Sequence, residues 1–322
     1  MEEISQLIAS DLQSLEQSIE KLLTTRVSFI KEVVHHIVKS GGKRIRPILV
    51  ILAARLCGCQ DERHVPYAAI VEFIHTATLL HDDVVDNART RRGTLTANTI
   101  WGNEPSVLVG DFLFSKSFDL MVADGIPDVI GVISKATTAL AEGEILELVK
   151  TSDVETTEAD YAEIIANKTA VLLSAACEIG AILGCVDTEK RTALREFGYH
   201  VGMAFQLTDD MLDYIASDTT LGKHTGTDLR EGKITLPLIH ALKEASDEEK
   251  NFVSGLLEKP RITKKDFEQV KKTIEAHDGM GYTLRRSVEH IEKAKRQLEV
   301  FSPSDYKTAL LNLADYIVSR RM

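Results

Sequence analysis

Residues 79–93 read LLHDDVVDNARTRRG, and residues 205–214 read FQLTDDMLDY. Both stretches place the pattern Asp-Asp-x-x-Asp among apolar residues that recur at helical spacing. Aspartate is a mediocre helix former, and its charge is costly to bury without a partner. Each cluster therefore needs a counter-charge, most simply a divalent metal that carries an anion. The clusters are Asp82, Asp83 and Asp86, and Asp209, Asp210 and Asp213.

Helical geometry supports a metal site at each cluster. Residues four apart lie on one face of a helix, so Asp82 shares a face with Asp86, and Asp209 shares one with Asp213. Mg²⁺ is commonly held by one or two carboxylates together with phosphate groups and water. The alternative is a solvated acidic helix face, which two matched clusters with apolar flanks make the weaker interpretation.

Composition limits the class of protein. The chain has 322 residues, of which 44% are hydrophobic, and a formal net charge of −11. This acidic balance argues against nucleic-acid binding, but bound metal ions can reverse the local charge and admit phosphorylated substrates. Composition does not break along the chain, and no run reaches the roughly 18 apolar residues of a membrane span. We expect one domain over residues 1–322, without a transmembrane segment and in the cytoplasm.

The apolar pattern predicts an all-α fold, a single large helical bundle with a central active-site cavity. No alternating strand pattern bounded by turn residues stands out. Several helical stretches are apolar nearly all round, which places them at the centre of the bundle. The clearest stretches are residues 45–56, 68–86, 106–122, 129–149, 160–183 and 194–215. Breaks between helices are expected at Pro66, Pro105, Pro127, Pro260 and Pro303.

Two basic motifs could bind phosphate groups directly. Lys43 and Arg46 lie three apart in GGKRIRP, residues 41–47, where a helix is expected to begin. A basic helix cap on the surface is the alternative. Arg91 and Arg92 follow the first aspartate cluster. They could pair with its carboxylates, but the planar guanidinium group matches phosphate geometry, which favours a diphosphate.

Three lysines complete the basic set. Lys223 and Lys233 follow the second aspartate cluster on a glycine-punctuated stretch. Lys168 interrupts an apolar helix, where it could extend to the surface along its aliphatic stem or point into a polar cavity. No G-x-x-x-x-G-K-[ST] motif for a nucleoside triphosphate occurs. The pattern is typical of a site for diphosphates and divalent metal ions.

In these motifs the chain resembles the trans-isoprenyl diphosphate synthases, specifically the medium- and long-chain polyprenyl synthetases of bacteria. The resemblance lies in the ordered stretches GGKRIRP, EFIHTATLLHDDVVDNARTRRG, NTIWGNEPSVLVGDFLF, AEGEILEL, IIANKTAVLL, FQLTDDMLDY and LGKHTGTDLREGKITLPLI. It implies an Mg²⁺-dependent prenyltransferase. Such an enzyme condenses isopentenyl diphosphate with an allylic diphosphate, head to tail and in trans geometry. It also implies a homodimer and the isoprenoid synthase type of fold.

The resemblance implies a role for each motif residue. The first and second aspartate-rich motifs, which together hold three Mg²⁺ ions, are Asp82, Asp83 and Asp86, and Asp209, Asp210 and Asp213. The residues that resemble the family's isopentenyl diphosphate site are Lys43, Arg46, His75 and Arg92. The residues that resemble the family's allylic diphosphate site are Arg91, Lys168, Lys223 and Lys233. The reaction centre, which steadies the carbocation, is lined by Thr169 and Gln206.

His75 has an alternative interpretation as a core or capping histidine on an apolar helix. It lies seven residues before Asp82, two turns away on the same face, which favours the binding role. Two positions depart from the family pattern. Leu95 stands where Pro is common, and Glu147 stands where Gln is expected after AEGE, which leaves the role of Glu147 open.

The resemblance also places the determinants of product length just before the first cluster. Small residues at Ala77 and Thr78, with Ile74 deeper on the same helix, predict an open product tunnel. The end stop is expected at Phe114 or Phe118. A product of about C30–C50 follows from that assignment.

Four alternatives remain open from the sequence. The first is a short-chain farnesyl or geranylgeranyl diphosphate synthase. The second is a terpene cyclase or squalene/phytoene-type synthase, in which GGKRIRP would have no purpose. The third is a non-catalytic subunit of a heteromeric synthase, although both aspartate clusters are complete. The last is a metal-binding helical bundle without diphosphate chemistry.

Overall fold

A computed structural model describes residues 1–215, 226–259 and 261–319 of the chain. Within these ranges the fold is almost wholly helical, which confirms the predicted all-α class. The first helices are α1 (Glu2–Leu7), α2 (Ala9–Leu22), α3 (Ser28–Lys39), α4 (Ile45–Leu56), α5 (His64–Val85), α6 (Ala97–Trp101), α7 (Asn103–Asp124) and α8 (Pro127–Lys150).

The helices continue through the second half of the described chain. They are α9 (Glu158–Ile165), α10 (Val171–Leu183), α11 (Thr188–Ile215), α12 (Thr227–Arg230), α13 (Leu236–Glu244), α14 (Asp247–Leu257), α15 (Lys264–Ala276), α16 (Gly279–Gln297) and α17 (Asp305–Ser319). A π-helical turn, Ala166–Ala170, joins α9 to α10, and a 3₁₀ turn, Leu298–Val300, follows α16.

The structure corrects two expectations about local structure. A small antiparallel hairpin, β1 (Thr90–Arg91) with β2 (Thr94–Leu95), lies where no strand was predicted. Pro66, Pro105 and Pro127 do not fall between helices but lie in the first turns of α5, α7 and α8. A missing backbone N–H costs nothing there, because the first turn has no carbonyl partner for it.

The density of internal contacts divides the chain into two compact units. The first comprises Met1–Lys135, Ala175–Arg195 and Leu298–Leu313, and the second comprises Ala136–Ser174, Glu196–Gln297 and Ala314–Met322. The single domain over residues 1–322 stays a prediction.

In the first unit, α5 is the central helix and packs against α2, α4 and α7. The sequence of α4 is apolar nearly all round, and its residues from Leu49 to Ala54 are fully buried. Gly180 of α10 lets two helices approach closely, because a methyl group there would lie 2.5 Å from the Cβ of Ala53. The contacts of α5 with α2, α4 and α7 fix the position of this helix, which carries His75 and the first aspartate cluster.

In the second unit, α13 packs against α9, α15 and α16. The buried cluster at this contact includes Tyr214, Leu238 and Val270. The N-termini of α9, α14 and α15 each begin with a capping box, led by Thr157, Ser246 and Thr263. Such caps pair backbone N–H groups that have no partner within the helix, so these helices begin at defined residues.

One described stretch, Glu158–Leu183, is long and apolar enough to cross a membrane by composition, and 72% of its most apolar window is buried inside the protein. Burial of that extent is typical of the core helix of a globular fold.

Candidate active site

The first aspartate cluster lies at the C-terminal end of α5. Asp86 caps the helix, and its backbone N–H donates to the carbonyl of Asp82 at 2.8 Å. Asp83 is only 3% exposed, and its Oδ1 accepts a hydrogen bond from Nε of Arg91 at 2.8 Å. Burial raises the pKa of Asp83, and the Arg91 guanidinium opposes that shift. The three carboxylates therefore differ: Asp83 is held inside the protein, whereas Asp82 and Asp86 are half-buried.

The β1–β2 hairpin directs the two arginines to different partners. Its central residues, Arg92 and Gly93, both have positive φ, at 53° and 78°. Two such residues form the turn whose twist matches a tight hairpin. Arg91 pairs with Asp83, and the Arg92 guanidinium lies against Gly42, where a methyl group would come within 2.7 Å of Nη1. The hairpin thus brings Arg92 to the GGKRIRP motif.

GGKRIRP contributes two arginines that make different contacts. Arg44 has left-handed backbone, with φ of 50°, just before α4 begins. Its guanidinium pairs with Glu72 at 2.5 Å and with Glu16 at 3.3 Å, so it ties three helices of the first unit together. Arg46 instead contacts His75, with Nη1 and Nε2 3.1 Å apart. The sequence alone did not distinguish these two arginines.

Arg46, His75 and Arg92 form a basic cluster, which we call the arginine–histidine cluster. Burial first, and then the Arg46 and Arg92 guanidinium groups, hold the pKa of His75 well below its usual range. The imidazole is therefore neutral beside two positive charges. Lys43 precedes this cluster in the chain and is exposed. Guanidinium groups gathered at a close approach to a glycine backbone suit an oxygen-rich anion.

The residues predicted to control product length lie on α5 before the aspartates. Ile74 and Ala77 are fully buried. Thr78 is half-buried, and its hydroxyl donates to the carbonyl of His75 at 2.8 Å. The Phe114 ring stacks on the His81 imidazole, with centroids 5.9 Å apart. The assignment of these residues to a product tunnel stays a prediction.

The second unit contains a pocket that collects most of the other predicted residues. Its lining includes Lys168, Thr169, Gln206, Asp210 and Lys233. Glu147, Tyr161 and Asp228 line it too. Five residues drawn from three separate motifs therefore meet at one pocket. Lys223 lies outside the described residues.

The second aspartate cluster lies on α11, where Asp210 and Asp213 accept hydrogen bonds from other parts of the second unit. Asp210 accepts hydrogen bonds from the Tyr161 hydroxyl and from Nε2 of Gln206, both at 2.6 Å. Burial raises the pKa of Asp210 to about 7 against the effect of these donors. Asp213 accepts from the backbone N–H groups of Thr227 and Asp228 at 3.2 and 3.1 Å, and so caps α12. Asp209 is half-buried on the same helix.

Lys168 and Thr169 lie on the π-helical turn. A methyl group at Gly143 of α8 would lie 2.9 Å from the backbone N of Lys168, and one at Gly202 of α11 would lie 2.4 Å from the Cα of Ala170. Glycines on two helices thus allow close approach to this turn. The Thr169 hydroxyl donates to Oε1 of Gln206 at 2.7 Å. Isolated π-helical turns are frequent at functional sites.

The lysines of the pocket are bound to carboxylates. Lys168 pairs with Glu147 at 2.6 Å and with Glu144 at 3.0 Å. Lys233 pairs with Glu231 at 2.8 Å and reaches Glu147 at 3.7 Å. Glu147, whose role the sequence left open, thus contacts both lysines.

Sequence reasoning missed two groups at this pocket, Tyr161 and Asp228. Burial and the nearby Asp210 and Asp213 raise the pKa of Asp228 well above its usual range. The position of Asp228, five residues before Lys233 in a glycine-punctuated stretch, was the available signal. Tyr161 lies in an apolar helical pattern that gives no indication of its hydroxyl contact.

Comparisons with known proteins find relatives over nearly the whole chain. Residues 27–275 match the family model described as polyprenyl synthetase. The octaprenyl diphosphate synthase of Escherichia coli is 41% identical over 320 residues, which cover 99% of each chain. The all-trans-nonaprenyl-diphosphate synthase (geranyl-diphosphate specific) of Rhodobacter capsulatus is 40% identical over 314 residues, 97% of this chain and 96% of its own.

A solved structure matches equally well. The crystal structure of a polyprenyl synthase from Caulobacter crescentus, complexed with calcium and isoprenyl diphosphate, has a TM-score of 0.95. It is 41% identical in sequence, and the match covers 100% of this chain and 98% of that one. Fold and relatives together define a trans-prenyltransferase of the medium- and long-chain class. The chain belongs to the polyprenyl synthetase family, and its fold is the all-α isoprenoid synthase fold.

Proposed function

We propose that this chain condenses isopentenyl diphosphate with an allylic diphosphate, head to tail and in trans geometry, to lengthen a polyprenyl diphosphate. The observation that carries the proposal is the presence of two separate sets of cations. The arginine–histidine cluster lies in the first unit, whereas Lys168 and Lys233 line the pocket of the second. Two sets of cations suit two diphosphate substrates. We assign isopentenyl diphosphate to the first set, with Lys43, and the allylic diphosphate to the second, with Arg91 and Lys223.

Mg²⁺ is the proposed cofactor, with three ions in each active site. Among the described residues, no three His, Cys, Asp or Glu side chains converge as a closed metal cage requires. This fits Mg²⁺, which takes ligands from phosphate oxygens and water in addition to one or two carboxylates. The ligands we propose are the carboxylates of the two clusters: Asp82, Asp83 and Asp86, and Asp209, Asp210 and Asp213. When bound, the ions supply positive charge to the departing diphosphate.

The side chains of the pocket have distinct tasks in this reaction. The Lys168 and Lys233 ammonium groups stabilise negative charge on the leaving diphosphate. Thr169 donates to Gln206, which donates to Asp210, so the hydrogen bonds run in one direction. The Thr169 oxygen keeps lone pairs at the pocket wall, where an allylic cation would develop. The double bond of isopentenyl diphosphate attacks that cation, and the released diphosphate takes the proton.

Product length is proposed as about C30–C50, which includes the octaprenyl and nonaprenyl classes named for two relatives. The proposed determinants are Ala77, Thr78 and Ile74. Replacement of the small Ala77 by Phe would fill a tunnel at that point. A shorter product from Ala77→Phe would support the assignment, and an unchanged product would refute it.

We further propose a homodimer that acts in the cytoplasm. Ile145, Leu148 and Val149 form an exposed apolar stripe on one face of α8, at 61%, 56% and 70% exposure. Such a stripe suits a second copy of the chain, because homodimer interfaces are typically apolar. A Val149→Lys variant should be monomeric by light scattering. The matched control is Val288→Lys, at an exposed valine of α16, which should leave the mass unchanged.

The decisive experiment incubates the purified chain with Mg²⁺, labelled isopentenyl diphosphate and allylic primers of graded length. Chromatography should show a polyprenyl product of about C30–C50, lost in Asp82→Ala. A C15 or C20 product would instead identify a short-chain synthase. No incorporation by the chain alone, with recovery on adding a second subunit, would identify a heteromeric synthase. Consumption of the allylic substrate without isopentenyl diphosphate would identify a cyclase-type enzyme.

A further inference from the structure

A carboxylate lies between the two lysines of the pocket. Oε2 of Glu147 is 2.6 Å from Nζ of Lys168 and 3.7 Å from Nζ of Lys233. The Glu147 side chain is 20% exposed and lines the pocket. The distance to Lys168 is that of a short, charge-assisted hydrogen bond. One oxygen atom therefore draws both ammonium groups toward the same point.

The position of Glu147 resembles that of an anion bound by the two lysines. A phosphate oxygen placed between Lys168 and Lys233 would use the same N–H donors. The Glu147 carboxylate would first have to move away from the two ammonium groups and from the space between them. Glu147 also places a negative charge where the phosphate oxygens would lie, so it would repel a bound diphosphate.

Glu144 provides a natural comparison on the same helix. Its carboxylate also pairs with Lys168, at 3.0 Å, but among the described residues it is not part of the pocket lining. Glu144 thus contacts Lys168 outside the pocket lining, whereas Glu147 contacts both lysines at the lining, where a ligand would bind.

We propose that Glu147 is a positioning residue that holds Lys168 and Lys233 together between turnovers and is displaced by the diphosphate group. This inference rests on the proposed function of the pocket. It assigns Glu147 two effects: it keeps the lysines in register for the next substrate, and it weakens the binding of inorganic diphosphate. An enzyme that repeats the condensation must release one diphosphate in every cycle, so weaker binding speeds that release.

The test measures binding of Mg²⁺–inorganic diphosphate to the full chain by calorimetry, and its inhibition constant in the condensation assay. Glu147→Gln keeps the shape and removes the charge. It should tighten diphosphate binding about tenfold. A hydrogen bond to a charged group contributes on the order of the free energy that corresponds to a tenfold change in dissociation constant. Its kcat and its KM for the allylic substrate should both fall, because release becomes slower.

Two further variants separate this effect from a structural role. Glu144→Gln should change the dissociation constant of diphosphate less than about twofold, and Glu147→Asp, which keeps the charge, should stay within about threefold of wild type. Unchanged or weaker binding by Glu147→Gln, or an equal gain in Glu144→Gln, would overturn the proposal. Failure of the proposed function looks different, because wild type would then incorporate no isopentenyl diphosphate while the binding comparison could still be made.

Discussion

Replacement of Gly202 by alanine tests whether close helix approach sets the geometry of the pocket. The added methyl group would lie 2.4 Å from the Cα of Ala170 and 2.9 Å from its Cβ. Ordinary contact begins near 3.4 Å, so α11 and the π-helical turn must separate by about 1 Å. The hydrogen bond from Thr169 to Gln206, now 2.7 Å, would then stretch beyond hydrogen-bonding distance.

The energetic consequence can be estimated from two opposing effects. Overpacking a dense contact costs about 1–3 kcal/mol, whereas alanine gains about 1 kcal/mol over glycine in a helix. The difference of these two effects is a net loss of about 0–2 kcal/mol of unfolding free energy. Because a displacement of about 1 Å can lower a rate about a hundredfold, kcat should fall by one to two orders of magnitude.

Urea denaturation and steady-state condensation kinetics check these values. The matched control is Gly255→Ala on α14, where a methyl group meets nothing within 4 Å. That variant should gain about 0.5–1 kcal/mol and keep its kcat. A Gly202→Ala protein as stable and as active as the control would refute the argument from close approach.

Two other predictions address the arginine–histidine cluster and the stability of the second unit. Arg46→Met should raise the KM for isopentenyl diphosphate about tenfold or more and change the KM for the allylic substrate less than about twofold. Steady-state kinetics with each substrate varied in turn measures the two KM values. An equal rise in both KM values would contradict the assignment of two diphosphate sites. His290 lies 3.0 Å from His200, ring nitrogen to ring nitrogen, and burial first and then His200 lower its pKa to about 4. As pH falls from about 6.5 to 4, the unfolded chain therefore binds a proton that the folded chain does not, and up to about 3 kcal/mol of stability is lost. Urea titrations of wild type and His290→Asn should diverge in that window, and parallel curves would count against the assignment.

Helices could be predicted from the sequence because their signal is long and periodic. Residues 45–56 form α4 as predicted, and the stretch 194–215 lies within α11. The β1–β2 hairpin could not be predicted in the same way, since two-residue strands carry no alternation. The first turn residue with positive φ is Arg92, and arginine is not a residue type that predicts a turn.

The sequence motifs named residues that line one pocket, but the contacts between those residues could not be predicted. The motifs identified Asp210, Gln206 and Thr169, but their directional hydrogen-bond chain depends on contacts between α11 and the π-helical turn. Arg44 and Arg46 lie two residues apart and look equivalent in sequence. The backbone at Arg44 is left-handed, and the Arg44 side chain contacts Glu72, whereas the Arg46 side chain lies beside His75.

Under the proposed function, the neutral imidazole of His75 would couple diphosphate binding in the first unit to proton uptake. Burial and two guanidinium groups keep the ring unprotonated. A diphosphate bound beside it would offset those positive charges and raise the pKa of His75. Affinity for the anion should therefore increase as pH falls toward the pKa of the ring in the complex, and binding should take up part of a proton from the buffer. The heat of binding consequently depends on the ionisation enthalpy of the buffer.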